Sequence, residues 1–458
     1  MLRQLFAASS DAFPSRTLLV SGYLLAGLSI ASPVWAAAPE GSYRGHAYGT
    51  FASSDAGPVA ATLGRSAFQP CGCRGTNGQV FQNRIASMSA GQNGKVLRLD
   101  GVVTTVFTDE LANKAVVTNT SRVERPSLFD GRISADRIRA GANVVATIAD
   151  IDTDADGTRY VGLRIDGRPI GDGVAPNTTF ALPGIGSVIV KRVKRGGGAN
   201  FKIITVEALV VKVEEENDFD LPIGVEIIVG HATAGFSRTV PEVVFGGSAY
   251  AATGNAKVGD RLANQIGRAA NIYVGCAGTD GKTKSNNITE LDVGKVLSFG
   301  SGRTTAFGGN TPGGKVSKTT AKVEDVSLLN GAVTANAVTA VAQEKMKNGV
   351  KTRSTQGSGF VGLRVNGVSQ PLQTPPNTVI PLPMFGRVVL NGQTIPPAGS
   401  NEPTDVIGIV IIITKPNSLK LPVGSRIIVA HARARTLRFD DEPIEPSQGE
   451  LSVAEATN

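Results

Sequence analysis

The sequence predicts an all-β fold made of two tandem homologous antiparallel β-sandwich-like domains that arise from internal duplication. Three observations predict it. First, the stretch Leu221-Pro222-Ile223-Gly224-Val225-Glu226-Ile227-Ile228-Val229-Gly230-His231-Ala232 returns as Leu421-Pro422-Val423-Gly424-Ser425-Arg426-Ile427-Ile428-Val429-Ala430-His431-Ala432, and other motifs return in the same register. A period this long marks a duplicated domain, because solenoid units repeat every ~20–50 residues. Second, short alternating apolar runs end in two-residue turn signals such as Asn366-Gly367 and Asp166-Gly167, which supply the positive φ angles of tight hairpins. Third, the chain carries 55 glycines and only 5% aromatic residues, a turn-rich composition without Leu/Glu/Lys-rich helical stretches. At 458 residues it is long enough for each domain to bury its own core.

From the N-terminus, Arg3 and Arg16 precede the apolar run 18–31, Pro33 breaks it, and Val34-Trp35-Ala36 offers small residues at the two positions a signal peptidase reads. Residues 1–36 are therefore read as a signal peptide cleaved after Ala36. No later apolar stretch has spanning length, so the mature chain is expected to be exported and free of an integral membrane segment. The first β-rich domain is assigned to 37–240, the second to 241–438, and 439–458 to an acidic, disordered tail.

Each copy is expected to begin in a small, polar segment, Gly41-Ser42-Tyr43-Arg44-Gly45-His46 in the first and Gly246-Gly247-Ser248-Ala249-Tyr250 in the second. Gly94-Lys95-Val96-Leu97 and Gly294-Lys295-Val296-Leu297 share the main register. The run Val361-Gly362-Leu363-Arg364-Val365 reads as one strand entering the Asn366-Gly367 hairpin. Arg387-Val388-Val389-Leu390 before Asn391-Gly392 reads as a second hairpin. Ile407-Gly408-Ile409-Val410-Ile411-Ile412-Ile413 is a β-branched run that reads as a strand covered on both faces. The next strand is placed at Arg426 to Val429. Short helices are expected only at 109–115 and 341–347.

At this point the pattern Val333-Thr334-Ala335-Asn336-Ala337-Val338, then Phe360 through Gly367, then Pro376-Asn377-Thr378, then Leu-Pro-x-x-Gly-x-Val-x-Leu-Asn over 382–391, resembles the choice-of-anchor P family. The resemblance is strongest over about residues 320–436, weaker over 120–236 and thin elsewhere. It implies an exported bacterial protein of the cell surface or extracellular space, with the periplasm as the other compartment, and a β-rich domain without an assigned catalytic role. The tail departs from the family pattern: it has no Leu-Pro-x-Thr-Gly signal, terminal apolar helix or basic end, so release or non-covalent attachment is expected.

Several groups could carry chemistry. Asp152, Asp154 and Asp156 alternate before Gly157 like the opening of a calcium loop, but the twelfth position is Leu163 and the second copy has no carboxylates there. A solvated turn is the expectation. His231 and His431 are read as structural histidines at strand ends, with His46 the third histidine. Cys71, Cys73 and Cys276 are too few for a thiolate metal site, and a disulfide suits an oxidising compartment. Cys73 to Cys276, Cys71 to Cys73, and reduced buried thiols all remain open.

Lys191-Arg192-Val193-Lys194-Arg195 followed by three glycines is the densest basic run and is expected at an exposed loop tip. With a net charge of +8, it suits an anionic envelope polymer or polysaccharide as partner. The glycines do not open a helix after a strand, so no phosphate-cradling loop is implied; no nucleic-acid partner is expected. No Gly-x-Ser-x-Gly elbow is present. The expected function is a non-enzymatic surface or extracellular structural or binding protein, without catalytic residues, cofactor or metal. A polymer-binding protein is the first alternative and a hydrolase with its site between the repeats the second.

Overall fold

The computed structural model describes residues 38–52, 64–85, 87–258 and 261–444, with the side chains of 92 and 255–267 outside that description. The expected signal peptide and residues 445–458 of the tail lie outside the described residues. The described residues are almost all strand, with only two three-residue 3-10 turns, Gln92–Gly94 and Phe439–Asp441. The all-β expectation holds. No helix among them is long and apolar enough to cross a membrane.

The first half stacks two antiparallel sheets. One runs Thr178–Leu182, Gly186–Gly198, Phe201–Val213, Glu226–Ser237, Ser42–Ala52, Gln69–Pro70. The other runs Ile151–Asp154, Arg137–Thr147, Lys114–Glu124, Gly101–Leu111, Val80–Ile85. Arg137–Thr147 and Lys114–Glu124 lie against Glu226–Ser237. Every second residue of Gly101–Leu111 from Val102 to Thr108 is buried, as a strand with one face on a core requires. The second half has the same plan. Thr378–Leu382, Gly386–Thr394, Thr404–Ile413, Arg426–Arg438 and Val243–Val258 form one sheet, and Ser301–Thr311, Gly314–Leu328 and Val333–Lys347 the other. Registers correspond between the halves: Val102 faces Val123, and Gly302 faces Val323.

Both hairpin turns form as read. Asp166 and Gly167 have φ of 46° and 77°, Asn366 and Gly367 of 50° and 77°, and they join paired strands. Thr404–Ile413 is buried on both faces, because it is central in its sheet, with Val333–Lys347 on one side and Tyr250 on the other.

Several expectations are corrected. The segments 109–115 and 341–347 are not helical: the first is a hairpin from Gly101–Leu111 into Lys114–Glu124, and the second is the end of Val333–Lys347. Their residues alternate across a sheet, so period two prevails over local helix propensity. The run from Val361 to Val365 is broken at Gly362, whose φ is 64° and where a Cβ would meet the Asn336 amide at 2.6 Å. Asn391-Gly392 is not a turn, since Gly386–Thr394 runs through it with only a local break in pairing. The strand placed at Arg426 to Val429 continues to Arg438, and the small, polar starts of the copies are the strands Ser42–Ala52 and Val243–Val258. The tail begins ordered: Glu442 is 4% exposed.

That break in pairing recurs as a line of left-handed residues crossing each sheet: Lys191 and Gly230 in one half, Asn391 and Ala430 in the other. Such irregularities bend and coil a sheet. Beside Gly230 sits Ala208, and beside Ala430 sits Gly408, so each half has one methyl in a space that holds one. A Cβ at Gly408 would lie 2.2 Å from Val338 Cγ1 and 3.3 Å from Ala430 Cβ. Gly408→Ala is therefore expected to lower stability by about 1–3 kcal/mol through overpacking. A denaturation midpoint equal to wild type would refute it.

Candidate functional site

Residues distant in sequence converge where the two halves meet. Ser42–Ala52 contributes His46 and Tyr48 to the outer face of its sheet, two residues apart and hence on one side. Its neighbour Glu226–Ser237 brings His231 opposite Tyr48, and the two rings stack at 4.1 Å. His46 stacks on His231 at 4.9 Å. The segment after Gly64 folds back so that the Arg65 guanidinium lies over Tyr48, Phe51, Phe68 and Tyr273. Tyr273 comes from the second half and its hydroxyl hydrogen-bonds His46 Nδ1 at 2.9 Å. Nε and Nη1 of Arg65 are buried without hydrogen-bond partners, so its charge is balanced by ring faces.

The electrostatics follow from this crowding. Burial, then the neighbouring His231, then Arg65, hold His46 well below the usual imidazole range. Burial also lowers His231, with Glu207 working against it. Burial by itself would raise the Glu207 carboxyl, but its contacts with His231 and Arg192 prevail and hold it at about 2. At neutral pH the centre therefore has two neutral imidazoles, one carboxylate and the cations Arg65 and Arg192.

Thr233 Oγ1 is 2.9 Å from His231 Nε2, and His231 Nδ1 is 3.6 Å from Glu207 Oε1. The order hydroxyl, imidazole, carboxylate is that of a nucleophilic triad. The last distance exceeds a hydrogen bond, and Thr233 Oγ1 also bonds the Thr205 hydroxyl at 3.0 Å. Thr233 and His231 are both buried, so a substrate carbonyl has no approach to the hydroxyl without strand movement. The second half keeps Tyr250 and His431 at 4.5 Å, with Arg268 over Tyr250. Its carboxylate comes from Asp405, 2.9 Å from His431 Nε2. Arg433 stands where the first half has Thr233.

Neither histidine is at the strand end expected for it: His231 lies within Glu226–Ser237 and His431 within Arg426–Arg438. Their strands run on because the partner strands continue beyond them. Sequence reading missed Tyr48, Arg65, Glu207 and Tyr273. Tyr48 and Tyr250 recur in the matched opening strands, and Arg65 and Arg268 precede the matched cysteines, so the repeat carried an overlooked signal.

Cys73 and Cys276 form a disulfide between the halves, and Cys71 is free and buried. Burial and the nearby Glu442 push the Cys71 thiol up to about 12. The segment after Arg438 closes over this bond: Cys73 N and Arg74 N donate to the Glu442 carboxylate at 3.2 and 2.9 Å. Arg74 Nη1 donates to the carbonyls of Asp440 and Glu442. Asn271 is 3% exposed with neither side-chain amide atom bonded. It lines a small recess with Phe51, Gly64 and Arg268, where a bound water would satisfy it.

The basic run is not a loop tip. Lys191 through Arg195 lie within Gly186–Gly198, paired along Phe201–Val213. Arg192 is tied to Glu207 and Glu226 and Lys194 reaches Glu207 at 3.5 Å, with Lys194 and Arg195 exposed. The correction has a simple cause: the three glycines extend the strand instead of ending it. Asp152 and Asp154 lie in Ile151–Asp154, and Asp154 Oδ1 accepts from Asn143 Nδ2 at 2.7 Å and from the Asp156 N–H at 2.8 Å. No group of three or more metal-ligating side chains occurs among the described residues.

No family model matches the chain, and no curated protein matches it. Among solved structures it has a faint likeness to a mutant of the vaccine antigen transferrin-binding protein B from Haemophilus parasuis Hp5. That likeness covers 87% of this chain and 77% of that one, at 9% identity and a TM-score of 0.13. A score so low carries no argument about fold or function.

Proposed function

We propose that the chain is an exported, non-enzymatic structural or binding protein of the surface or extracellular space, with two homologous β-rich domains at 37–240 and 241–438. The observation that carries this reading is the disulfide between Cys73 and Cys276. Disulfides persist in oxidising compartments and are rare in the cytosol. The resemblance to the choice-of-anchor P family and the N-terminal signal pattern support the same address. His46, His231, Arg65 and Glu442 all bond or stack within the junction, a disposition that suits a rigid module.

Fractionation of the producing cell with intact mass under non-reducing conditions tests it. The expected chain begins at Ala37, is recovered outside the cell or accessible on its surface, and is lighter by the two hydrogens of one disulfide. A reduced chain that keeps Met1 in the membrane fraction would overturn the reading.

Contact with an anionic polymer is a second reading, favoured by the exposed Lys194 and Arg195 on a long β-arm. Retention on an acidic polysaccharide is expected to fall severalfold in a Lys194→Glu, Arg195→Glu variant. Equal retention would remove it.

A further inference from the structure

The centre around His46 combines three features: it bridges the two halves, it holds two imidazoles face to face, and the Arg65 guanidinium lies over the aromatic rings that surround them. His46 and Tyr273 are only half-buried, so protons can reach the cluster once it loosens. We propose that this junction is an acid-operated hinge: protonation of His46 and His231 releases the contact between the halves, while the Cys73–Cys276 disulfide keeps them tethered.

The groups facing the imidazoles come from every element packed on them. Tyr48 stacks from the same strand, and Arg65 and Phe68 approach from the folded-back segment. Tyr273 reaches His46 Nδ1 from the second half with its hydroxyl at 2.9 Å. From Phe201–Val213 comes Glu207, held by Arg192 and approached by Lys194 at 3.5 Å. Glu207 faces His231, and His46 has no carboxylate partner. A charge on His46 would therefore meet Arg65 with no carboxylate of its own to offset it, and a second charge on His231 would stand 4.9 Å away, ring centre to ring centre.

The sign follows from linkage. Both imidazoles lie below the ordinary value of 6.5 when the junction is closed, and regain it when the junction opens. The open form then binds more protons, so the closed form is favoured above about 6.5 and loses ground as the pH falls below it. Glu207, lowered from 4.5 to about 2, adds its own loss only below about pH 4.5. The hinge thus works between roughly 6.5 and 4.5, where histidine alone titrates.

Hydrogen exchange on the intact mature protein tests this, read strand by strand and corrected for the chemical exchange rate. Between pH 7 and pH 5 the protection of Ser42–Ala52 and Ile272–Val274 is expected to fall about tenfold or more, while Val333–Lys347, remote from the junction, stays protected. A His46→Gln, His231→Gln variant keeps polar acceptors and should lose that pH dependence. Tyr273→Phe should open the junction at pH 7 yet keep the dependence, which separates titration from simple damage. The proposal is overturned if junction strands keep their protection at pH 5. It is equally overturned if all strands lose protection together, or if the double variant responds to acid as the wild type does.

Discussion

Replacing Arg353 with alanine is expected to cost about 3–5 kcal/mol of stability, the usual result of leaving one buried charge without its partner. Glu344 has no exposed side-chain surface and Arg353 only 5%. The carboxylate accepts from Arg353 Nε at 3.1 Å on one oxygen, and from Thr436 N and Oγ1 at 3.0 and 3.1 Å on the other. Arg353 in turn donates to the carbonyls of Pro396, Pro397 and Ser400, so it also shapes the loop between Gly386–Thr394 and Thr404–Ile413. Its removal strands Glu344 in the core and releases that loop together.

The first half shows what the site looks like without ions, since Val144 and Thr153 stand at the matched positions. A Glu344→Val, Arg353→Thr double variant should therefore lose less than Arg353→Ala alone, because it leaves no unpaired charge. Denaturant unfolding of the three proteins decides. A loss under 1 kcal/mol in Arg353→Ala, or a double variant worse than the single, would show that the pair is not the source of stability.

Loss of the disulfide is the other large effect. Cys73 and Cys276 are separated by 203 residues, and constraining so long a loop in the unfolded chain corresponds to about 5 kcal/mol in the chain-entropy model. A Cys73→Ser, Cys276→Ser variant should unfold at markedly lower denaturant, whereas Cys71→Ser should keep the cross-link and most of the stability. The Glu442 strap and the bond from Tyr273 to His46 remain in the double variant, so the native spectrum should survive at low denaturant. An unchanged midpoint would mean that those contacts alone hold the halves.

Much of the architecture was legible because it is written in local patterns. The Asn366-Gly367 and Asp166-Gly167 turns were readable from residue type alone, since few other pairs reach those φ angles. Thr404–Ile413 was readable because a run of β-branched residues fits a strand covered on both faces. Where local pattern and tertiary pairing disagreed, pairing prevailed. Asn391-Gly392 resembles a turn yet lies inside Gly386–Thr394, because Thr404–Ile413 offers a continuous partner beyond it.

The candidate site was legible only in fragments. His231, His431 and the cysteines stood out as residue types, but their partners lie far away in the chain. His46 reaches Tyr273 across 227 residues, and Cys73 reaches Glu442 across 369. Periodicity and turn chemistry act over a few residues and so determine strands, turns and the repeated plan. Which cysteine is cross-linked, whether Arg192 is free or neutralised, and where a buried charge finds its counter-ion depend on side chains meeting across sheets. That meeting is decided by the packing of the whole chain.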